Sequence, residues 1–81
     1  MNREEIKVII RNAIIQVTGL DNLDGKTSLI SKELGIMPVN FLYIFEILKN
    51  ELELPVYKIF ENHTYQVMTI DNLANAFMEL A

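Results

Sequence analysis

Residues 2–19 read NREEIKVIIRNAIIQVTG, and the period of their apolar residues decides the fold class. Seven isoleucine and valine positions in so short a stretch invite a β-strand, but the spacing does not alternate. Ile6, Ile9, Ile10, Ala13, Ile14 and Val17 recur at helical intervals and make one stripe of a 3.6-residue period. Asn2 stands where an N-cap belongs, and Glu5 three residues later completes a capping-box pair with Asn in place of the usual Ser or Thr. Gly19 supplies the stop. The first element is therefore a helix.

Outward from it, residues 20–36 read as a long ordered loop. Asp21, Asn22, Asp24 and Gly25 are turn formers, while Leu20, Leu23, Leu29, Ile30 and Leu34 are spaced to pin the segment onto a core. Thr27 or Ser28 is expected to cap a single helical turn ending at Gly35. Pro38 suits the first turn of a second helix, where a missing N–H costs nothing. Phe41, Leu42, Ile44, Phe45, Ile47, Leu48 and Leu52 then give that helix a wide apolar face, and Pro55 is expected to stop it. Its other side carries Asn40, Tyr43, Glu46, Lys49, Asn50 and Glu53. Val56, Ile59 and Phe60 suggest a short third helix before the polar run Glu61-Asn62-His63-Thr64. Thr69 caps a last helix that has Asp71 in its first turn and buries Ile70, Leu73, Ala74, Phe77 and Leu80. No repeat and no strand able to pair is visible, so residues 1–81 are read as one all-α domain.

Composition agrees. With 51% hydrophobic and 22% charged residues, three glycines and two prolines, the chain is neither disordered nor low in complexity. The absence of cysteine excludes a disulfide scaffold, thiolate zinc sites and thiol catalysis. Seven basic residues against eleven acidic ones give a net charge of −4, a poor basis for nucleic-acid binding. Five of the basic residues lie in residues 1–32, and the acidity belongs to the second half. No secretory signal and no apolar run of membrane-spanning length is present, and a cytoplasmic location is expected.

The order of elements, with the long loop after helix one, resembles the acyl or peptidyl carrier protein family over nearly the whole chain, from Glu4 to Leu80. Thr27-Ser28-Leu29-Ile30-Ser31-Lys32-Glu33-Leu34-Gly35-Ile36 is similar to the family's run ending in Leu-Gly-apolar just before its second helix. Leu52-Glu53-Leu54-Pro55-Val56 resembles the stretch after that helix, and Met68-Thr69-Ile70-Asp71-Asn72-Leu73 resembles the opening of the last. The resemblance implies an antiparallel four-helix bundle of the carrier type.

In the family, an Asp-Ser-Leu triplet two residues after the Leu-Gly carries phosphopantetheine on its serine. Here the triplet reads Met37-Pro38-Val39, and proline offers no hydroxyl. Ser28 and Ser31 are the alternative attachment points, since Thr27-Ser28-Leu29 superficially mimics the triplet. The chain beyond Pro38 is nearer the length that carriers keep after the modified serine, and Gly35 and Pro38 would break a helix headed by Ser28. Carriers also recruit enzymes through acidic residues on helix two; the matching positions hold Tyr43, Lys49 and Asn50, with Glu46 alone acidic. The expected function is thus a non-catalytic adaptor without a cofactor or metal. Among carriers, the resemblance is to serine-lacking relatives that accompany bacterial peptide maturation, which implies a biosynthetic or peptide-modifying enzyme as protein partner. Met37, Pro38, Val39, Tyr43 and Glu46 are its candidate contacts.

Other residues carry less. His63 is the only histidine and lies in a polar stretch, where it is expected at the surface. Glu51 and Glu53, two apart, do not share a helix face and make no acid–base pair. Met68 and Met78 are expected to fill the core. Arg3, Lys7 and Arg11 form a basic stripe on helix one that is expected to be solvated or to meet a partner. That stripe is also what a small regulatory or nucleic-acid-binding domain would use. A further possibility in a chain so apolar is self-association through exposed apolar residues.

Overall fold

A computed structural model describes residues 1–81; all of its regular structure is helical, without strands. Helix α1 spans Arg3–Thr18, α2 Pro38–Leu52 and α3 Ile70–Leu80. Between α2 and α3 lie two short 3₁₀ segments, Val56–Glu61 and Tyr65–Val67.

The local signals that open and close these helices operate as physical caps. The Asn2 side chain accepts from the Glu5 N–H at 2.9 Å, and the Glu5 carboxylate accepts from the Asn2 N–H at 3.1 Å. Gly19 then takes a left-handed conformation (φ 75°) and its N–H donates to the Ile15 carbonyl. At α3 the Thr69 hydroxyl accepts from the Asn72 N–H at 3.0 Å. Helix α2 starts at Pro38, with no side-chain cap from Met37. It ends at Leu52, where Glu53 turns left-handed (φ 54°). Pro55 is therefore not the residue that stops it; the backbone has already reversed, and Pro55 precedes the next 3₁₀ segment.

Helix α1 is central and packs against both α2 and α3, whose backbones do not approach each other. The Val56–Glu61 segment fills the gap, touching both, and the Phe45 and Phe77 rings meet edge-on across it, centroids 6.3 Å apart. The eighteen buried side chains are all apolar and form one cluster, with Phe77, Ile10, Leu48, Ala74 and Val56 fully enclosed. The radius of gyration, 11.4 Å, is close to the ~11.7 Å expected of a folded chain of this length.

The loop after α1 is docked on the start of α3. Leu29 is buried and its N–H donates to the Met68 carbonyl at 2.8 Å, while the Asp71 N–H donates to the Gly25 carbonyl at 3.0 Å. Leu20, Leu23 and Leu34 are half-buried beside it, but Ile30 points to solvent and is not an anchor. The turn ending at Gly35 (φ 66°) is headed by Ser31, whose hydroxyl accepts from the Glu33 N–H at 3.3 Å. Neither Thr27 nor Ser28 caps it, because Ser28 heads a separate turn, its carbonyl accepting from the Ser31 N–H at 3.2 Å.

Three further expectations change. Leu42 is 58% exposed, since an arc as wide as that of α2 cannot all face α1. Met78 lies on the outer side of α3 and is exposed, whereas Met68 is buried as expected. The short third helix is a 3₁₀ turn that buries Val56 and Ile59 and leaves Phe60 exposed, and a second such turn, fronted by Thr64, follows it.

Candidate functional site

The start of α2 is built by the end of the loop. After Gly35, Met37 is extended (φ −75°, ψ 149°) and the Pro38 ring opens the helix without an N–H to satisfy. The Asn40 N–H returns to the Met37 carbonyl at 2.9 Å and closes the first turn.

All five candidate contacts, Met37, Pro38, Val39, Tyr43 and Glu46, are exposed. Met37 is 61%, Val39 50% and Tyr43 58% open to solvent. Val39, Tyr43 and Glu46 follow one another at i, i+4 and i+7, so the helix brings them to one face, headed by Met37 and Pro38. The helix N-terminus carries no acidic residue in its first turn. A partner meeting this end therefore finds methionine, proline, valine and a tyrosine ring before any charge.

Charge enters one turn further on. Glu46 pairs with Lys49 Nζ at 3.3 Å and receives a long hydrogen bond from the Tyr57 hydroxyl at 3.4 Å. The Tyr57 phenol is pushed above its usual value of 10.0, first by desolvation and then by the adjacent Glu46 carboxylate. Leu42, assigned by the sequence to the buried face, joins the exposed side here together with Tyr57 and Phe60. For Leu42 the signal that could have found it was the excess of apolar positions on α2 over what one contact face can bury.

The alternative attachment points lie elsewhere. Ser28 is exposed and Ser31 half-buried, both in the irregular loop and neither at a helix start. The basic stripe of α1, expected to be solvated or to meet a partner, is instead engaged within the chain. Arg3 Nε donates to Asn75 Oδ1 at 2.6 Å, Lys7 Nζ lies 3.0 Å from Asp71 Oδ1, and Arg11 Nη1 donates to the Leu23 carbonyl at 2.5 Å. These cations tie α1 to α3 and to the loop. Lys7, hydrogen-bonded to it, holds the Asp71 carboxyl below its ordinary value; partial burial opposes this, and Arg3 and Lys26 add to it.

His63 is half-buried rather than fully exposed, with Nε2 2.8 Å from Glu79 Oε1 at the rim of a polar cleft between the Tyr65–Val67 turn and α3. Glu51 and Glu53 make no contact with each other that would couple them, and Glu53 serves as the left-handed residue after α2. No helix is long and apolar enough to cross a membrane. Compared with protein-family models, curated proteins and solved structures, the chain matches none of them.

Proposed function

We propose that the chain is a carrier-type domain, an antiparallel four-helix bundle in which the Val56–Glu61 turn takes the place of the short third helix, and that it works as a non-catalytic adaptor. Its partner is a protein, in keeping with the resemblance a biosynthetic or peptide-modifying enzyme of bacterial peptide maturation, docked on the start and outer face of α2.

One observation carries this reading: Pro38 occupies the first position of α2, immediately after the docked loop, where the resemblance places the modified serine. The residue on either side of it is apolar and largely exposed. Placing such side chains in water has no benefit for folding, while an aromatic anchor beside aliphatic contacts and a charged rim is the composition of interface hot spots. The inward engagement of Arg3, Lys7 and Arg11 also favours α2 over α1 as the docking face, and it speaks against a nucleic-acid role for that stripe.

Two measurements test the proposal. Incubation with coenzyme A and a broad-specificity phosphopantetheinyl transferase is expected to leave the intact mass unchanged; an added arm at Ser28 or Ser31 would make the chain a true carrier instead. In pull-downs against the enzymes encoded beside it, Tyr43→Ala and Val39→Asp are expected to lose the partner that the unmodified chain retains. Retention by both variants overturns the docking assignment.

A further inference from the structure

A hollow of about 240 Å³ opens between α1 and the first residues of the loop that follows it. Ile14 and Ile70, both enclosed in the core, form its floor, and the half-buried Leu20 and Leu23 form its wall on the loop side. Two charges of opposite sign, Arg11 and Asp21, line the same hollow. An apolar interior with a few placed polar groups is the common make-up of small-molecule sites.

Neither charge is neutralised within the chain. None of the ion pairs of the fold includes Arg11 or Asp21. Arg11 gives Nη1 to the Leu23 carbonyl, which fixes the guanidinium beside the hollow and leaves the rest of its planar fork for a carboxylate. Asp21 Oδ1 accepts from the Asn22 N–H at 2.8 Å, so Oδ2 remains for a donor.

We propose that this hollow binds a free aliphatic α-amino acid of the size of leucine or isoleucine, its carboxylate on Arg11, its ammonium on Asp21 and its branched side chain over Ile14 and Ile70. Charge selects the zwitterion over either half of it. A plain carboxylic acid gains Arg11 but faces the Asp21 carboxylate, and a plain amine gains Asp21 but faces the guanidinium. Size selects among the amino acids. An apolar cavity of about 150 Å³ accommodates benzene, and at that loading the hollow takes about nine or ten heavy atoms. Leucine and isoleucine fill it, phenylalanine overfills it, and alanine leaves the floor uncovered. Removal of the hydrocarbon from water drives binding, while the charge-assisted hydrogen bonds fix the orientation. None of these residues belongs to the face of α2 that carries Val39 and Tyr43, so the site stands apart from the adaptor reading.

Titration of the isotope-labelled chain with L-leucine, followed through its amide chemical shifts, tests the proposal. Saturable shifts are expected at Leu20, Asp21, Asn22 and Leu23 and at Arg11 and Ile14 on the facing helix, with a Kd of about 1 mM or below. Binding about tenfold weaker or worse is expected for isocaproate, which lacks the ammonium, for isoamylamine, which lacks the carboxylate, and for glycine, which lacks the side chain. Asp21→Asn, at an exposed position and with the oxygen that accepts from Asn22 retained, should weaken L-leucine about tenfold without weakening isocaproate. The absence of saturable shifts up to ~20 mM L-leucine overturns the proposal. So does isocaproate binding as tightly as leucine, an Asp21→Asn variant that binds leucine unchanged, or a set of shifts confined to α2.

Discussion

Replacing Gly25 with alanine should destabilise the protein through one identifiable contact. Gly25 does not need its glycine for a positive φ; it needs the space. A Cβ added there would stand 2.8 Å from Asp71 Cγ and 3.0 Å from Asp71 Oδ2, closer than a carbon tolerates. The two backbones cannot simply part, because the Asp71 N–H donates to the Gly25 carbonyl at 3.0 Å. Nor can the carboxylate swing away without leaving Lys7 Nζ, 3.0 Å from it. Overpacking of this kind costs about 1–3 kcal/mol, while the loss of glycine's freedom in the unfolded chain returns about 0.4–1 kcal/mol. The expected net loss is about 1–2 kcal/mol, which for a domain of this size lowers Tm by roughly 4–15 °C.

Urea denaturation followed by circular dichroism measures it, and a double-mutant cycle isolates the cause. In an Asp71→Ala background the obstructing carboxylate is gone, and Gly25→Ala should be neutral or mildly stabilising. If Gly25→Ala is neutral in the wild-type chain, or costs the same in both backgrounds, the contact between loop and α3 is not what the space at Gly25 serves.

Two further outcomes follow from the same packing. The Asp71 carboxyl is held below its ordinary value by Lys7, so its contribution to stability is complete above about pH 4 and is lost as pH falls through the depressed folded value; the stability difference between wild type and Asp71→Asn should shrink between pH 4 and pH 2, and a difference constant over that range would contradict the Lys7–Asp71 pairing. Leu48→Ala, at a fully enclosed position, should cost about 2–5 kcal/mol in urea denaturation, whereas Leu42→Ala on the exposed side should stay within about 0.5 kcal/mol; comparable losses would return Leu42 to the core.

What could be read in the sequence was whatever short-range chemistry decides. The Asn2–Glu5 pair, the glycine after α1, the proline opening α2 and the threonine before α3 each act within a few residues, so their spacing alone determines them. The exposure of Val39 and Tyr43 was legible for the same reason, since the period of a helix fixes which positions share a side. Long-range choices were not legible. Arg3, Lys7 and Arg11 look like a solvent-facing stripe until α3 and the loop are brought beside them. Leu42 and Ile30 look like core residues because hydrophobicity does not say which apolar positions the available partners can cover. The sequence of residues 56–61 suggests a short helix, whereas the segment winds as a 3₁₀ turn where it packs between α2 and α3.

The same long-range contacts bear on the proposed docking face. The loop is fixed to the start of α3 by two backbone hydrogen bonds, from Leu29 N–H to the Met68 carbonyl and from Asp71 N–H to the Gly25 carbonyl, and it ends in the turn that delivers Met37 and Pro38. A docking surface there gains from rigidity, because every rotamer or backbone angle frozen in advance lowers the entropic cost of association. Proline at the first position of α2 restricts φ in the free chain, and the loop that precedes it is held at both Gly25 and Leu29. Read as an adaptor, the chain thus gains from Pro38 twice: the residue removes the site of modification, and it stiffens the surface that Met37, Val39 and Tyr43 present.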